Sequence, residues 1–398
     1  MPLAPSALCD AYISERHLNE IQEVFPLELY MCWECGYVFL PYVVDPEVIY
    51  RDYIYVSTSS MGLADHFGQY AENILAKLSL PLGVMCIDIG SNDGTLLHAF
   101  KNRGMRVLGI EPAIEIARNA SEAGIPTLAE FFDVGVARKI TLEHGKASLI
   151  TVNNLFANID DLDEVTRGIS ELLASDGVLV IESSYLADMI QNMVFDFIYH
   201  EHLSYFSLKP LIQFFSRFGL NLFDVERVPT KGGSLRYYIQ KNGGTRIVSE
   251  SIPDLLTYEE TIGLYSPQIF IEYSSRITKC KEQLISFLTK VKSEGKTIAG
   301  FGGSATSTTL IYHFGIAEML EYIVDDNPAK HNTYSPGYHI PVLPSTALYE
   351  KKPDYTVVLA WRYFDSILSK NLSYINSGGS FIKPIPEFSV TREAYNGI

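Results

Sequence analysis

Between Tyr199 and Ser207 the chain reads Tyr199-His200-Glu201-His202-Leu203-Ser204-Tyr205-Phe206-Ser207, placing two histidines, a glutamate, two tyrosines and two serines within nine residues. Packing alone does not call for so many polar and titratable groups in one run. A histidine with its ordinary pKa of about 6.5 is the default proton acceptor at neutral pH, and a neighbouring carboxylate or phenol can orient its ring. General acid/base chemistry is the first reading. His-x-His is also a metal-ligand spacing in an extended chain, and a structural hydrogen-bond cluster is the plain alternative.

A second stretch concerns binding. Ile87-Asp88-Ile89-Gly90-Ser91-Asn92-Asp93-Gly94-Thr95-Leu96-Leu97 runs from an apolar strand through a glycine turn into a helix, and Val107-Leu108-Gly109-Ile110-Glu111-Pro112 ends a second strand in an acid. An acid about twenty residues after such a turn is how α/β folds hold adenosine ribose. The turn lacks the G-x-G-x-x-G spacing that brings backbone against a pyrophosphate. Asp88 and Gly90 suit instead a cofactor with a ribose and no phosphates, and S-adenosylmethionine is the first candidate. An unliganded strand-turn-helix is the alternative. A third cluster, Pro229-Thr230-Lys231-Gly232-Gly233-Ser234-Leu235-Arg236, combines paired glycines with Lys231, Ser234 and Arg236 as donors for phosphate or sugar oxygens. Its alternative is a β-turn with solvated basic residues.

The elements that must carry these residues follow from the apolar periodicity. A tyrosine-rich module with short strands near 29–31 and 37–40 precedes a helix from His66 to Leu80. Strand and helix signals then alternate through 84–89, 106–111, 126–132, 148–153 and 178–183, which predicts a doubly wound parallel sheet. Residues 185–250 break that rhythm, with two helices and a hairpin-like pair at 220–228 and 234–240. After a helical stretch over 251–290, Lys296 to Ala305 opens a second α/β unit. There Gly300, Gly302 and Ala305 satisfy G-x-G-x-x-A, and Asp325 follows at the expected distance. The expected domains are 1–62, 63–250 and 251–398.

Composition narrows the functional classes. With 398 residues and 47% hydrophobic content the chain builds at least two large cores. A net charge of −16, with no long Lys/Arg cluster, argues against nucleic acid. No apolar run is long enough to cross a membrane, so a soluble, cytoplasmic protein is expected. Five scattered cysteines do not describe a disulfide framework. Cys32-Trp33-Glu34-Cys35-Gly36 has the shape of half a zinc knuckle, but a structural site wants four ligands. Cys9 and His17 are substitutes at unusual spacing, and a tight turn with two free thiols is the alternative.

Together these motifs resemble the nucleotide-sugar C-methyltransferase family, the sugar 3-C-methyltransferases that act on nucleotide-linked 4-keto-deoxysugars. The resemblance covers nearly the whole chain. It rests on Ile87 to Leu97 with Gly109-Ile110-Glu111-Pro112-Ala113, on Asn153-Asn154-Leu155-Phe156-Ala157 before Asp160-Asp161-Leu162, on Tyr199-His200-Glu201-His202-Leu203-Ser204-Tyr205, and on Gly232-Gly233-Ser234-Leu235-Arg236. Gly302, Val324-Asp325 and Pro336-Gly337 extend it. It implies a class I methyltransferase Rossmann-like domain, a second C-terminal Rossmann-like domain and a small N-terminal cysteine-knuckle module, together enclosing a nucleotide sugar.

By that resemblance Asp88, Gly90, Ser91, Asn92 and Gly94 hold S-adenosylmethionine, Glu111 with Pro112 its ribose, Phe131 or Phe132 its adenine, and Asn153 with Asn154 its methionine end. His202 is the implied base, assisted by Tyr199 and Glu201. Developing enolate charge needs donors, for which Tyr199 and the Lys231 region are candidates. His200, Tyr205, Lys231, Gly233, Ser234, Arg236 and Gly302 are expected to contact the sugar nucleotide. Three departures stand out. Relatives carry a further C-x-x-C before the segment matching Pro2-Leu3-Ala4, so Cys32 and Cys35 are expected to be half a zinc site. Asn158 and Lys231 stand where many relatives have histidine, which points to a different substrate or ring position. Open beside C-methylation are O- or N-methylation, an NAD-dependent nucleotide-sugar oxidoreductase using the turn at 300–305, and a non-catalytic binding protein.

Overall fold

The computed structural model describes residues 1–50 and 63–391. The expected boundary at residue 62 lies outside them. Met85–Ile89 is buried at every position, the pattern of a strand covered on both faces. It is the fifth strand of a seven-stranded sheet in the order 220–228, 234–241, 173–184, 147–153, 85–89, 106–110, 127–128. The last five strands run parallel. The hairpin-like pair forms and extends this sheet: Ser234–Lys241 pairs antiparallel with Leu173–Ser184, from Ser234 opposite Ser184 to Gln240 opposite Val178. Its apolar residues, among them Leu235, Tyr237 and Ile239, cover what would be a bare apolar edge on Leu173–Ser184.

Helices over Thr95–Lys101, Ile114–Glu122, Val134–His144 and Leu162–Leu172 connect the strands. Two begin at carboxylate caps: Asp133 accepts from the Val136 N–H at 2.7 Å and Asp161 from the Glu164 N–H at 2.9 Å. Each such cap is worth about 1 kcal/mol. A 27-residue helix, Pro267–Ser293, leads to the second unit. It starts at the Ser266 cap and Pro267, and it buries Tyr273, Ile277, Cys280, Leu284, Leu288 and Val291, one stripe at helical spacing.

The second sheet has eight strands, in the order 13–14, 333–334, 341–344, 323–325, 298–301, 355–358, 380–383, 389–391. Its first strand comes from the N-terminal segment, where Ile13–Ser14 pairs with Thr333–Tyr334. A three-stranded sheet joins Tyr30–Met31, Val38–Phe39 and Ser204–Tyr205. The N-terminal residues are thereby stitched to both larger units, one strand lying directly after His202. No helix among the described residues is long and apolar enough to cross a membrane.

Candidate active site

The strand order reverses between Met85–Ile89 and Ala147–Asn153, and ligands of open α/β sheets bind beyond the strand ends at such a point. A cavity of about 410 Å³ opens there. One side is built from four successive strand ends, carrying Asp88 to Asn92, Glu111 with Pro112, Phe131 with Phe132, and Asn153 with Asn154. The other side carries Tyr199, Glu201, His202 and Lys231. The segments read as cofactor site and acid/base site thus face one space.

The cofactor side is shaped by backbone. Gly90 has φ +76°, and a Cβ there would meet Leu155 Cδ2 at 2.7 Å, so no side chain fits. The Glu111 carboxylate accepts from the Asn92 and Ala113 N–H groups, both at 2.9 Å, which fixes it at the mouth of the turn. Burial raises its pKa and these two bonds oppose the rise. Asp88 is buried, accepts a hydrogen bond from the Thr151 hydroxyl at 2.6 Å, and is pushed up to about 8 by burial, with Glu111 adding to the shift. A cationic ligand in the cavity would reverse that shift. The Asn153 amide beside it has neither its oxygen nor its nitrogen in a well-formed protein hydrogen bond. Gly94, in contrast, is absent from the cavity wall; with φ +76° it precedes the helix Thr95–Lys101 and packs on Ile125.

On the opposite side, His202 Nδ1 lies 2.9 Å from the Phe197 carbonyl oxygen. A carbonyl only accepts, so Nδ1 carries the proton and Nε2 keeps its lone pair. The Tyr199 hydroxyl lies 3.1 Å from Nε2, with the two rings 4.1 Å apart. Burial lowers the His202 pKa to about 4, assisted by the Lys231 charge and opposed by the Phe197 bond, so the ring is neutral at pH 7.

The remaining expected substrate contacts separate into two groups. Lys231 lines the main cavity, and Tyr205 lines a small side cavity that His202 and Lys231 also border. His200, Gly233, Ser234, Arg236 and Gly302 border neither cavity. His200 faces away, its Nε2 at 3.2 Å from the Pro26 carbonyl and its ring edge-on to Phe25. Gly233 abuts Asp188, and the Ser234 hydroxyl donates to the Thr230 carbonyl. Arg236 is 3% exposed and gives two hydrogen bonds to Glu182, at 3.0 and 2.8 Å, with its guanidinium over Tyr70. Gly302 packs against Ala360 in the second sheet. Sequence reasoning passed over Pro46, Tyr50 and Phe67, which come from the N-terminal segment and the first long helix and line the cavity. Nothing local marks them, since Tyr50 meets Glu201 across 151 residues.

The dinucleotide-like turn of the second unit is covered by the chain itself. A Cβ on Gly303 would lie 3.0 Å from the Tyr12 hydroxyl, and Asp325 accepts from the Gly303 N–H at 2.6 Å and from the Asn327 N–H at 2.7 Å. Lys330 closes the same corner through Asp10, at 2.6 Å.

Cys32 and Cys35 bracket a tight turn in which the Gly36 N–H donates to the Cys32 carbonyl at 2.9 Å. Backbone N–H groups of Cys35 and Glu34 lower the Cys32 thiol pKa, and burial raises that of Cys35. The substitutes considered from sequence lie elsewhere: His17 bonds Glu20, and Cys9 is buried beside Thr308, Thr309 and the Glu201 charge. Among the described residues no group of three or more His, Cys, Asp or Glu is placed to hold a metal ion. Two thiols do not make a closed four-ligand zinc site.

Three family models match successive stretches of the chain: one described as "putative zinc binding domain" over residues 1–50, a methyltransferase domain over 64–225 and a C-methyltransferase C-terminal domain over 229–386. The C-methyltransferase NovU of Streptomyces niveus is 31% identical over 367 residues, covering 92% of this chain and 87% of NovU. Solved structures overlap more narrowly. A S-adenosylmethionine-dependent methyltransferase from Clostridium acetobutylicum is 14% identical with a TM-score of 0.36, covering 45% of this chain and 92% of that one. The magnesium protoporphyrin IX methyltransferase of Synechocystis is 10% identical with a TM-score of 0.35, covering 48% and 86%. With a class I methyltransferase sheet, and with homology to NovU running through nearly its whole length, the chain belongs to the C-methyltransferase family and is a S-adenosylmethionine-dependent methyltransferase.

Proposed function

We propose that the chain transfers a methyl group to the carbon next to the ketone of a nucleotide-linked 4-keto-deoxysugar, with His202 as the base that forms the enolate. One observation carries this reading: a neutral histidine whose Nδ1 is fixed on the Phe197 carbonyl turns its basic Nε2 into the same cavity as the Gly90 turn and Glu111. Bound S-adenosylmethionine supplies an electrophilic methyl. The ketone acidifies the adjacent C–H, His202 Nε2 takes that proton, and the enolate carbon forms its bond to the methyl as the carbon–sulfur bond breaks. The ketone is then restored and S-adenosylhomocysteine leaves. Glu111 is suited to the ribose hydroxyls, Phe131 and Phe132 to the adenine, and Asn153 with Asn154 to the methionine end. Glu201 and Tyr199 position the base and the sugar.

An NAD-dependent reading is disfavoured, because Tyr12 covers the turn it would need. The test uses S-adenosylmethionine labelled with carbon-13 on its methyl and a panel of nucleotide-linked 4-keto-deoxysugars. The reading expects a carbon-bound methyl on the product by NMR. A methyl bonded to oxygen or nitrogen would overturn it.

A further inference from the structure

We infer that Lys231 is a catalytic residue whose ammonium holds the ketone oxygen as it becomes an enolate, so that Lys231 and His202 act on the same substrate carbonyl from one wall. The inference rests on the C-methylation reading above and selects between its two candidate enolate donors. Tyr199 is committed, its hydroxyl standing 3.1 Å from the base. Lys231 is not. Among the described residues it is the one lysine or arginine on the cavity wall, and it makes no hydrogen bond or ion pair there. Two other cations nearby are neutralised, Arg236 by Glu182 at 2.8 Å and Arg362 by Asp196 at 3.2 Å.

The surroundings explain what an unpaired cation is for. The cavity wall is otherwise acidic, with Glu111, Glu130, Asp160, Asp161, Glu164 and Glu201. Such a wall suits a cationic cofactor, and Lys231 is the one cation on it, among the described residues, to meet a developing oxyanion. Lys231 borders both the main and the side cavity together with His202. Its backbone sits at φ +53°, ψ 27°, a left-handed conformation rare for a residue with a side chain and a form of strain that gathers at functional sites. The turn is held there from behind: a Cβ on Gly232 would meet Val194 at 3.0 Å and Arg362 at 3.4 Å.

The step balances without a further reactant. The C–H electron pair moves into the carbonyl, placing negative charge on oxygen beside the ammonium, and the proton rests on His202 Nε2. Formation of the carbon–methyl bond returns that charge, and Lys231 keeps its proton throughout. Lys231 is exposed into the cavity, and the Glu182 and Glu201 charges favour its ammonium while Arg362 opposes it. The ammonium is therefore charged at neutral pH.

The test follows deuterium wash-in beside the ketone in deuterium oxide, with S-adenosylhomocysteine bound, for the wild type, Lys231→Gln and Lys231→Arg. Loss of one oxyanion donor costs about 10²–10³ in rate, so Lys231→Gln should lose exchange by that factor while cofactor affinity is unchanged. Lys231→Arg, which keeps the positive charge, should keep most of the exchange. Wild-type exchange that survives in Lys231→Gln would overturn the role of Lys231 alone. So would a rise in KM for the nucleotide sugar at unchanged exchange, the mark of a diphosphate clamp. A wild type that exchanges no ketone, although it binds the cofactor, would remove the C-methylation reading and this inference with it.

Discussion

His202 donates through Nδ1 to the carbonyl of Phe197 at 2.9 Å. That bond decides which nitrogen can act, since the protonated one is turned into backbone and the basic one into the cavity. The same loop is anchored from the second unit: Thr309 donates to the Ile198 carbonyl at 2.9 Å, and Trp361 Nε1 to Asp196 at 2.9 Å. The Arg362 guanidinium covers the Phe197 ring at 4.3 Å. The C-terminal unit thereby sets the orientation of a base that belongs to the methyltransferase unit.

Burial holds His202 near 4 against about 6.5 in an unfolded chain, which fixes two pH effects. As base it stays unprotonated down to about pH 4, so the acid limb of kcat/KM is expected there and not near 6.5. Between those values the unfolded chain binds more protons, so this group's contribution to stability is complete above about 6.5 and is lost as pH falls toward 4. A kcat/KM profile with an acid limb at the ordinary histidine value would contradict the buried environment.

Asp88 carries the opposite shift, to about 8, so it is largely protonated in the empty site at pH 7. Cofactor entry brings positive charge and should ionise it. Titration calorimetry of S-adenosylmethionine binding at pH 7 in buffers of different ionisation enthalpy should show proton release. Asp88→Asn should abolish that release. Binding enthalpies that ignore the buffer would refute the assignment.

Glu111 is held by two backbone N–H groups and keeps further lone pairs for ribose hydroxyls. Glu111→Ala should weaken S-adenosylhomocysteine binding by about 10- to 100-fold, from hydrogen bonds to a charged group of about 1.5–3 kcal/mol. Equilibrium dialysis checks this, and an unchanged Kd would move the ribose elsewhere.

Arg236 and Glu182 are each 3% exposed and bonded to one another, so Arg236 acts on stability rather than on the sugar nucleotide. Arg236→Met leaves buried Glu182 with His66 at 3.3 Å and the Thr230 hydroxyl at 3.1 Å but without its guanidinium, and should cost about 3 kcal/mol in urea unfolding. The surviving folded enzyme should keep its KM. A selective rise in KM at unchanged stability would restore Arg236 to the substrate site.

The sequence was most legible where function and local pattern coincide. Met85–Ile89 reads as a central strand because it is apolar throughout, and Gly90 and Glu111 follow from the turn and its spacing. Non-local pairing escaped it. Nothing in Ser234–Lys241 names Leu173–Ser184 as its partner, and Arg236 looked available because Glu182 lies 54 residues away. By residue type alone His200 and His202 are equivalent, and only the resemblance singled out His202; the turn closed by the His202 N–H on the Tyr199 carbonyl, at 2.9 Å, sends them to opposite sides. The glycine fingerprint at 300–305 kept its spacing while Tyr12, nearly 300 residues earlier, filled its place.

The central claim is that His202 removes a proton from carbon. The direct measurement compares wild type and His202→Gln, both with bound S-adenosylhomocysteine, for deuterium wash-in next to the ketone of a nucleotide-linked 4-keto-deoxysugar. The account predicts wash-in by the wild type and a loss of about 10²–10⁴ in rate for His202→Gln, with cofactor affinity retained. Wash-in that persists in His202→Gln at the wild-type rate would contradict it.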